Sequence, residues 1–279
     1  MKNSNKNFDK MAKRIFRFFL VLFLFNIYII SLAQDFEVAP VLLNFNAEPG
    51  QTQSIPVNIF NHSNEKTSFV LSLGDYILNK EGEKIQMPAS STEHSLVNWI
   101  SINPPFLEIN PNDERQVSIS IQAPSGDFST KWAYVYVKTS KEQTALLADK
   151  TLQTGVVVSG QIIIKAVQSP KTNVNYKLKI GNLSEISTNK DTLRVFTAVI
   201  DNIGDKIANC KVTLLASNLS NAQETKLDEI TFESYPDAQL NIKLRMTKIL
   251  PPGKYALAAI LDYGSKQNLE GTQMLLEIQ

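Results

Sequence analysis

From Gln34 onward the chain alternates apolar and polar residues in short runs, and a helical period is almost nowhere sustained. The clearest run is 53–60, where Ile55, Val57 and Ile59 fall on every second position behind a Pro49-Gly50 turn signal. The same pattern predicts strands over 68–73, 115–122, 133–138, 156–167, 192–201, 211–216, 238–246, 255–262 and 274–278. Turn clusters separate them, among them Asn61-His62-Ser63-Asn64, Asn79-Lys80-Glu81-Gly82, Asn110-Pro111-Asn112-Asp113 and Pro251-Pro252-Gly253. Many short strands with this punctuation predict an all-β protein of tandem immunoglobulin-like sandwiches rather than a parallel α/β sheet. The segment 142–148 is the single stretch of helical composition and is read as loop. A boundary is predicted at Gln168-Ser169-Pro170, where a residue without an N–H follows the strongest continuous strand. It divides the body into 34–168 and 169–279, each of the size one sandwich needs.

The first 33 residues break this pattern. Six basic residues and the lone acid Asp9 precede an apolar run from Phe18 to Leu32, which ends in Ser31-Leu32-Ala33. A basic start, a short greasy centre and small residues at the end predict an export signal over 1–33, cleaved after Ala33. The run is shorter than the ~20 residues of a spanning helix, so no stable membrane span is expected after cleavage. No cysteine stands directly after Ala33 to carry a lipid. The whole chain has a formal charge of +1, and removal of the signal leaves a body of −4. A mildly acidic exported body gives no case for nucleic-acid binding.

Composition then removes most chemistry. One cysteine, Cys210, excludes an internal disulfide framework, and its strand context reads as a buried small hydrophobe. No Cys/His cluster is spaced for zinc, and no nucleophile or phosphate-loop motif is present, so no metal, cofactor or catalytic residue is expected. His62 and His94 read as loop histidines, and Trp99 and Trp132 as packed residues of apolar strands.

Residues 36–170 resemble the N-terminal domain of the periplasmic pilus chaperones, the PapD-like superfamily. The resemblance is sharpest over Asn103-Pro104-Pro105-Phe106-Leu107-Glu108-Ile109-Asn110-Pro111-Asn112-Asp113-Glu114-Arg115-Gln116-Val117-Ser118-Ile119, which follows the family's proline pair, apolar strand, turn and alternating strand. Asn112 stands where the family usually has glycine and tolerates the same left-handed backbone. Trp132-Ala133-Tyr134-Val135-Tyr136-Val137-Lys138 matches the aromatic-rich F strand, and Ile164-Lys165-Ala166-Val167-Gln168-Ser169-Pro170 the end of the G strand. The second half is generically immunoglobulin- or fibronectin-like.

The resemblance implies a chaperone-like protein of the periplasm or cell envelope, not an enzyme, that binds secreted or surface subunits, pilin-like ones included, by β-strand addition and serves fimbrial assembly. It assigns client contact to Val156 and Val158, which would lend side chains to the client, and to Lys165, at the place of a family lysine that holds a client's terminal carboxylate. Gly160 interrupts the apolar series. The family's second anchor, an arginine on the first strand, has no counterpart: 36–48 contains no basic residue, and Leu42 or Leu43 fills the matching region. An alternative reading stays open. Two sandwiches behind a signal also resemble cell-wall proteins that interact with WxL-domain surface proteins, which implies a non-catalytic module binding an envelope polymer or partner.

Overall fold

The computed structural model describes residues 35–140, 160–188, 193–264 and 267–279. Two sandwiches are present. The first contains β1 (Phe36–Ala39), β2 (Leu42–Phe45), β3 (Thr52–Asn61), β4 (Thr67–Leu78), β5 (Lys84–Met87), β6 (Ile100–Asn103), β7 (Phe106–Ile109), β8 (Glu114–Gln122), β9 (Lys131–Ser140) and β10 (Gln161–Gln168). One sheet has the order β1-β3-β8-β6, and the other β2-β10-β9-β4-β5, with β7 also on β4. The second sandwich contains β11 (Leu178–Glu185), β12 (Val195–Asn202), β13 (Ala208–Asn218), β14 (Glu224–Ser234), β15 (Gln239–Arg245), β16 (Gly253–Asp262) and β17 (Glu270–Ile278). Its sheets run β11-β12-β15 and β14-β13-β16-β17.

Alternation along the strands fills both interiors, because successive side chains point to opposite faces of a sheet. In the first, Leu43, Val57, Ile59, Phe69, Ile119, Val135, Val137 and Ile164 are buried between the sheets. Phe196, Ile200, Val212, Leu214, Leu244, Leu257 and Leu261 do the same in the second, and Cys210 is buried among them. The predicted turns are locked by polar side chains. Asn61, fully buried, donates its amide to the carbonyls of Glu65 at 2.8 Å and Ile109 at 3.0 Å. Asn112 has φ +55°, the left-handed conformation expected there.

At Ala39-Pro40-Val41 the chain changes sheets. β1 pairs antiparallel with β3, and β2 then pairs parallel with β10 in the opposite sheet. This crossover sets how much of β10 is covered.

The two sandwiches meet through an aromatic cluster of Tyr76, Trp132, Tyr134, Tyr136 and Tyr235. Tyr76 stacks on Tyr134 at 4.0 Å and meets Tyr235 edge-on at 5.8 Å. The Trp132 indole N–H donates to the Tyr76 carbonyl at 2.8 Å. Polar ties surround the rings. The Thr130 hydroxyl donates to the Asp205 carbonyl at 2.6 Å, and Asn241 N–H to the Lys80 carbonyl at 2.6 Å. Buried Lys206 donates to Ser169 Oγ at 2.6 Å and the Pro170 carbonyl at 2.9 Å, and burial pulls its pKa below the usual lysine value.

Candidate functional site

β10 is covered unequally along its length. β9 pairs with all of it, from Gln161↔Lys138 to Gln168↔Lys131. β2 pairs only with its second half, from Lys165↔Leu42 to Gln168↔Phe45. Backbone direction follows from two bonds: the Gly160 carbonyl accepts from Thr139 N–H, and Lys165 N–H donates to the Val41 carbonyl at 2.9 Å. In a regular strand the groups alternate, so even-numbered residues bond to β9 and odd-numbered ones face the other flank. The backbone of Gln161 and Ile163 therefore faces a flank on which no described strand pairs with it.

Side chains follow the same parity. Ile162, Ile164 and Ala166 pack into the first sandwich, and Ile163 and Val167 pack against the aromatic cluster. Gly160 has a steric reason: a Cβ there would lie 2.9 Å from the Phe36 ring, so the break in the apolar series makes room for the start of β1. Val156 and Val158 lie outside the described residues.

Lys165 is described, and its ammonium lies against the second sandwich. It donates to both oxygens of Glu233, at 2.9 and 3.0 Å. Lys84 reaches the same carboxylate at 3.5 Å, and the Tyr235 hydroxyl donates to it at 3.3 Å. Tyr235 in turn bonds the Tyr76 hydroxyl at 3.1 Å. The Lys165 side chain is 22% exposed and that of Glu233 35%, so the pair is partly open to solvent. Burial alone would raise the Glu233 carboxyl, but the Lys165 hydrogen bond and the charges of Lys165 and Lys84 outweigh it and hold it below the usual carboxylate range. Tyr76 and Tyr235 are pushed well above the usual phenol range, first by burial. Opposite Lys165 on β2 stands Leu42, so that strand brings no cation to the site, and the second cation there is Lys84 of β5.

Several contacts lay beyond sequence reasoning. His94 is no surface histidine: Nδ1 is 2.9 Å from the Thr130 carbonyl, Nε2 is 3.0 Å from Asp237, and the ring stacks on Trp132 at 4.6 Å. Trp132 packs as expected, but between the sandwiches rather than within one. Trp99 belongs to a 3-10 turn, Val97–Trp99, and not to a strand. Burial pushes the Cys210 thiol up to about 12, which leaves it without thiolate character at neutral pH. Among the described residues no three His, Cys, Asp or Glu side chains group to hold a metal ion, and no helix is long and apolar enough to cross a membrane.

No family model matches the chain, and no curated protein matches it. Solved structures do. The chaperone–tip adhesin complex of CFA/I fimbriae biogenesis matches at 13% identity and a TM-score of 0.51, over 87% of this chain and 98% of that one. The class 5 fimbriae chaperone CfaA matches at 14% identity and a TM-score of 0.47, over 88% and 99%. The SafB chaperone–SafA pilin complex of Salmonella enterica matches at 13% identity and a TM-score of 0.39, over 87% and 97%. At this identity the likeness speaks to architecture, and the first match carries it: the chain shares the fold of that structure, two immunoglobulin-like sandwiches in tandem.

Proposed function

We propose that the protein is an exported, chaperone-like factor of the periplasm that binds secreted or surface subunits, pilin-like ones among them, by strand addition along β10. The observation that carries this reading is the flank of Gln161–Ile164, whose outward backbone groups have no strand beside them among the described residues. An unpaired edge is a template for a further strand: main-chain bonds supply affinity and alternate side chains supply fit. Val41 and Leu42, 52% and 44% exposed, stand at the foot of that flank and give an incoming strand an apolar surface. On this reading 34–168 is the client-binding domain and 169–279 the domain that braces it. Val156 and Val158 lend their side chains to the client, and Lys165 closes the track at its far end. The mechanism needs no reactive side chain, and the protein acts without catalysis.

The test replaces Val156 and Val158 together with aspartate in the full chain and recovers bound subunits from the periplasm. Loss of capture with an unchanged unfolding curve is the expected result. Undiminished capture by a folded variant removes the predicted strand 156–167 from the mechanism.

A further inference from the structure

We infer that Glu233 is a resident carboxylate at the end of the β10 track, and that by holding Lys165 it makes an incoming strand's own terminus count for little in recognition. This rests on the strand-addition reading above. β2 takes over the open flank at Leu42, opposite Lys165, so a strand laid beside Gln161–Ile164 must stop there. A strand running in the same direction as β2 brings a terminal carboxylate to that point. The cation that would meet it is Lys165, already bonded to both Glu233 oxygens at 2.9 and 3.0 Å. β2 offers only Leu42 on the other side.

Glu233 is firmly seated. Lys84 and the Tyr235 hydroxyl approach the same carboxylate, and Tyr235 is buried in the aromatic cluster. An incoming carboxylate and Glu233 are like groups competing for one ammonium. The resident belongs to the same chain, so its effective concentration favours it over a ligand in solution. Selection then falls on backbone pairing and side-chain fit, and the arrangement suits segments that present a strand without a free end.

The experiment is calorimetric titration of the full chain with a short synthetic peptide of alternating threonine and valine, prepared as the free acid and as the C-terminal amide. The native chain is expected to bind both with affinities equal within about twofold. Glu233→Gln removes the competing charge and is expected to favour the free acid by about tenfold, the worth of one charge-assisted hydrogen bond. Lys165→Met added to that variant erases the preference. Because Glu233→Gln also touches the joint between the sandwiches, its unfolding curve and the salt dependence of the acid preference are read beside the titration: a preference that salt weakens supports the inference, and one that salt leaves unchanged counts against it. A tenfold preference for the acid in the native chain overturns the inference and leaves strand addition standing, as does a folded Glu233→Gln chain that gains none. If neither peptide binds and the β10 amide resonances do not move, the strand-addition reading fails, and the inference falls with it.

Discussion

β10 of the first sandwich and β15 of the second each turn a row of backbone groups away from their own ladder, and the chain covers the two rows differently. β15 is an edge strand, yet two of its outward amides are met from elsewhere. Asn241 N–H donates to the Lys80 carbonyl in the β4–β5 turn, and Arg245 N–H to the Asp228 carboxylate at 2.7 Å. Lys243 and Arg245 add charge along the same edge, which discourages a further strand. Among the described residues β10 is capped by Val41 and β2 from Lys165 onward, and Ile163, packed on the aromatic cluster, brings no charge to the flank. One edge is capped at two amides by the fold itself, and the other, among the described residues, has no strand beside its first half, next to exposed Val41 and Leu42. The second edge, uncovered among the described residues, is the one the proposed function assigns to a partner.

Four changes sharpen or break that contrast. The largest effect is expected from comparing proline at neighbouring positions of β10. Ile164 is fully buried and its N–H belongs to the β9 ladder, so Ile164→Pro should destabilise by about 3 kcal/mol in urea unfolding. Ile163→Pro removes a donor that faces the open flank and some packing on the aromatic cluster, and should cost about 1–2 kcal/mol. Equal losses would mean that the flank is not open. Gly160→Val comes next. Its Cβ would meet the Phe36 ring at 2.9 Å, which predicts a destabilisation of about 2 kcal/mol from overpacking, read from the same curves. A neutral result would show that the start of β1 does not close over β10.

Deleting Lys80 and Glu81 uncaps β15 and should cost about 1 kcal/mol, with faster exchange of the Asn241 amide and self-association in sedimentation. A chain that stays monomeric would show that the charged side chains alone protect that edge. The smallest effect concerns pH. The Glu233 carboxyl is lowered in the folded chain, so its contribution is complete above the ordinary carboxylate range and is lost as the pH falls through its lowered value. Because the group is partly exposed, that contribution is under about 1 kcal/mol. Glu233→Gln should flatten the acid limb of the stability curve by that amount, and an unchanged limb would remove the ion pair from the joint.

Much of the fold was legible because alternation is a local signal. The strands around Val57, Val117, Val135 and Leu257 announced themselves, and Asn112 revealed its turn. Other elements were silent for physical reasons. β5 is exposed at nearly every position, so nothing in it alternates. β14 reads as Glu-Thr-Lys-Leu-Asp-Glu-Ile-Thr-Phe-Glu-Ser, an edge strand whose charges resemble a loop. β11 is interrupted by an irregularity next to Asn182, whose φ is +56°. β1 and β2 have four residues each, too short for a period to show.

At the candidate site the sequence could place Lys165 on the face away from the first core, since parity alone decides that. It could not name Glu233, which lies 68 positions away, nor join His94 to Asp237 across 143. Those contacts exist only because the second sandwich folds back onto the aromatic face of the first. The missing first-strand cation was legible, because an absence of Lys and Arg over 36–48 needs no coordinates.

Residue-resolved amide hydrogen exchange of the free chain tests the central claim most directly. The account predicts that the amides of Gln161 and Ile163 exchange far faster than those of Ile162, Ile164 and Lys165, because among the described residues the latter three alone have backbone partners. Uniform slow exchange from Gln161 to Lys165 would contradict it, since the chain would then be supplying its own strand to the flank proposed for the partner.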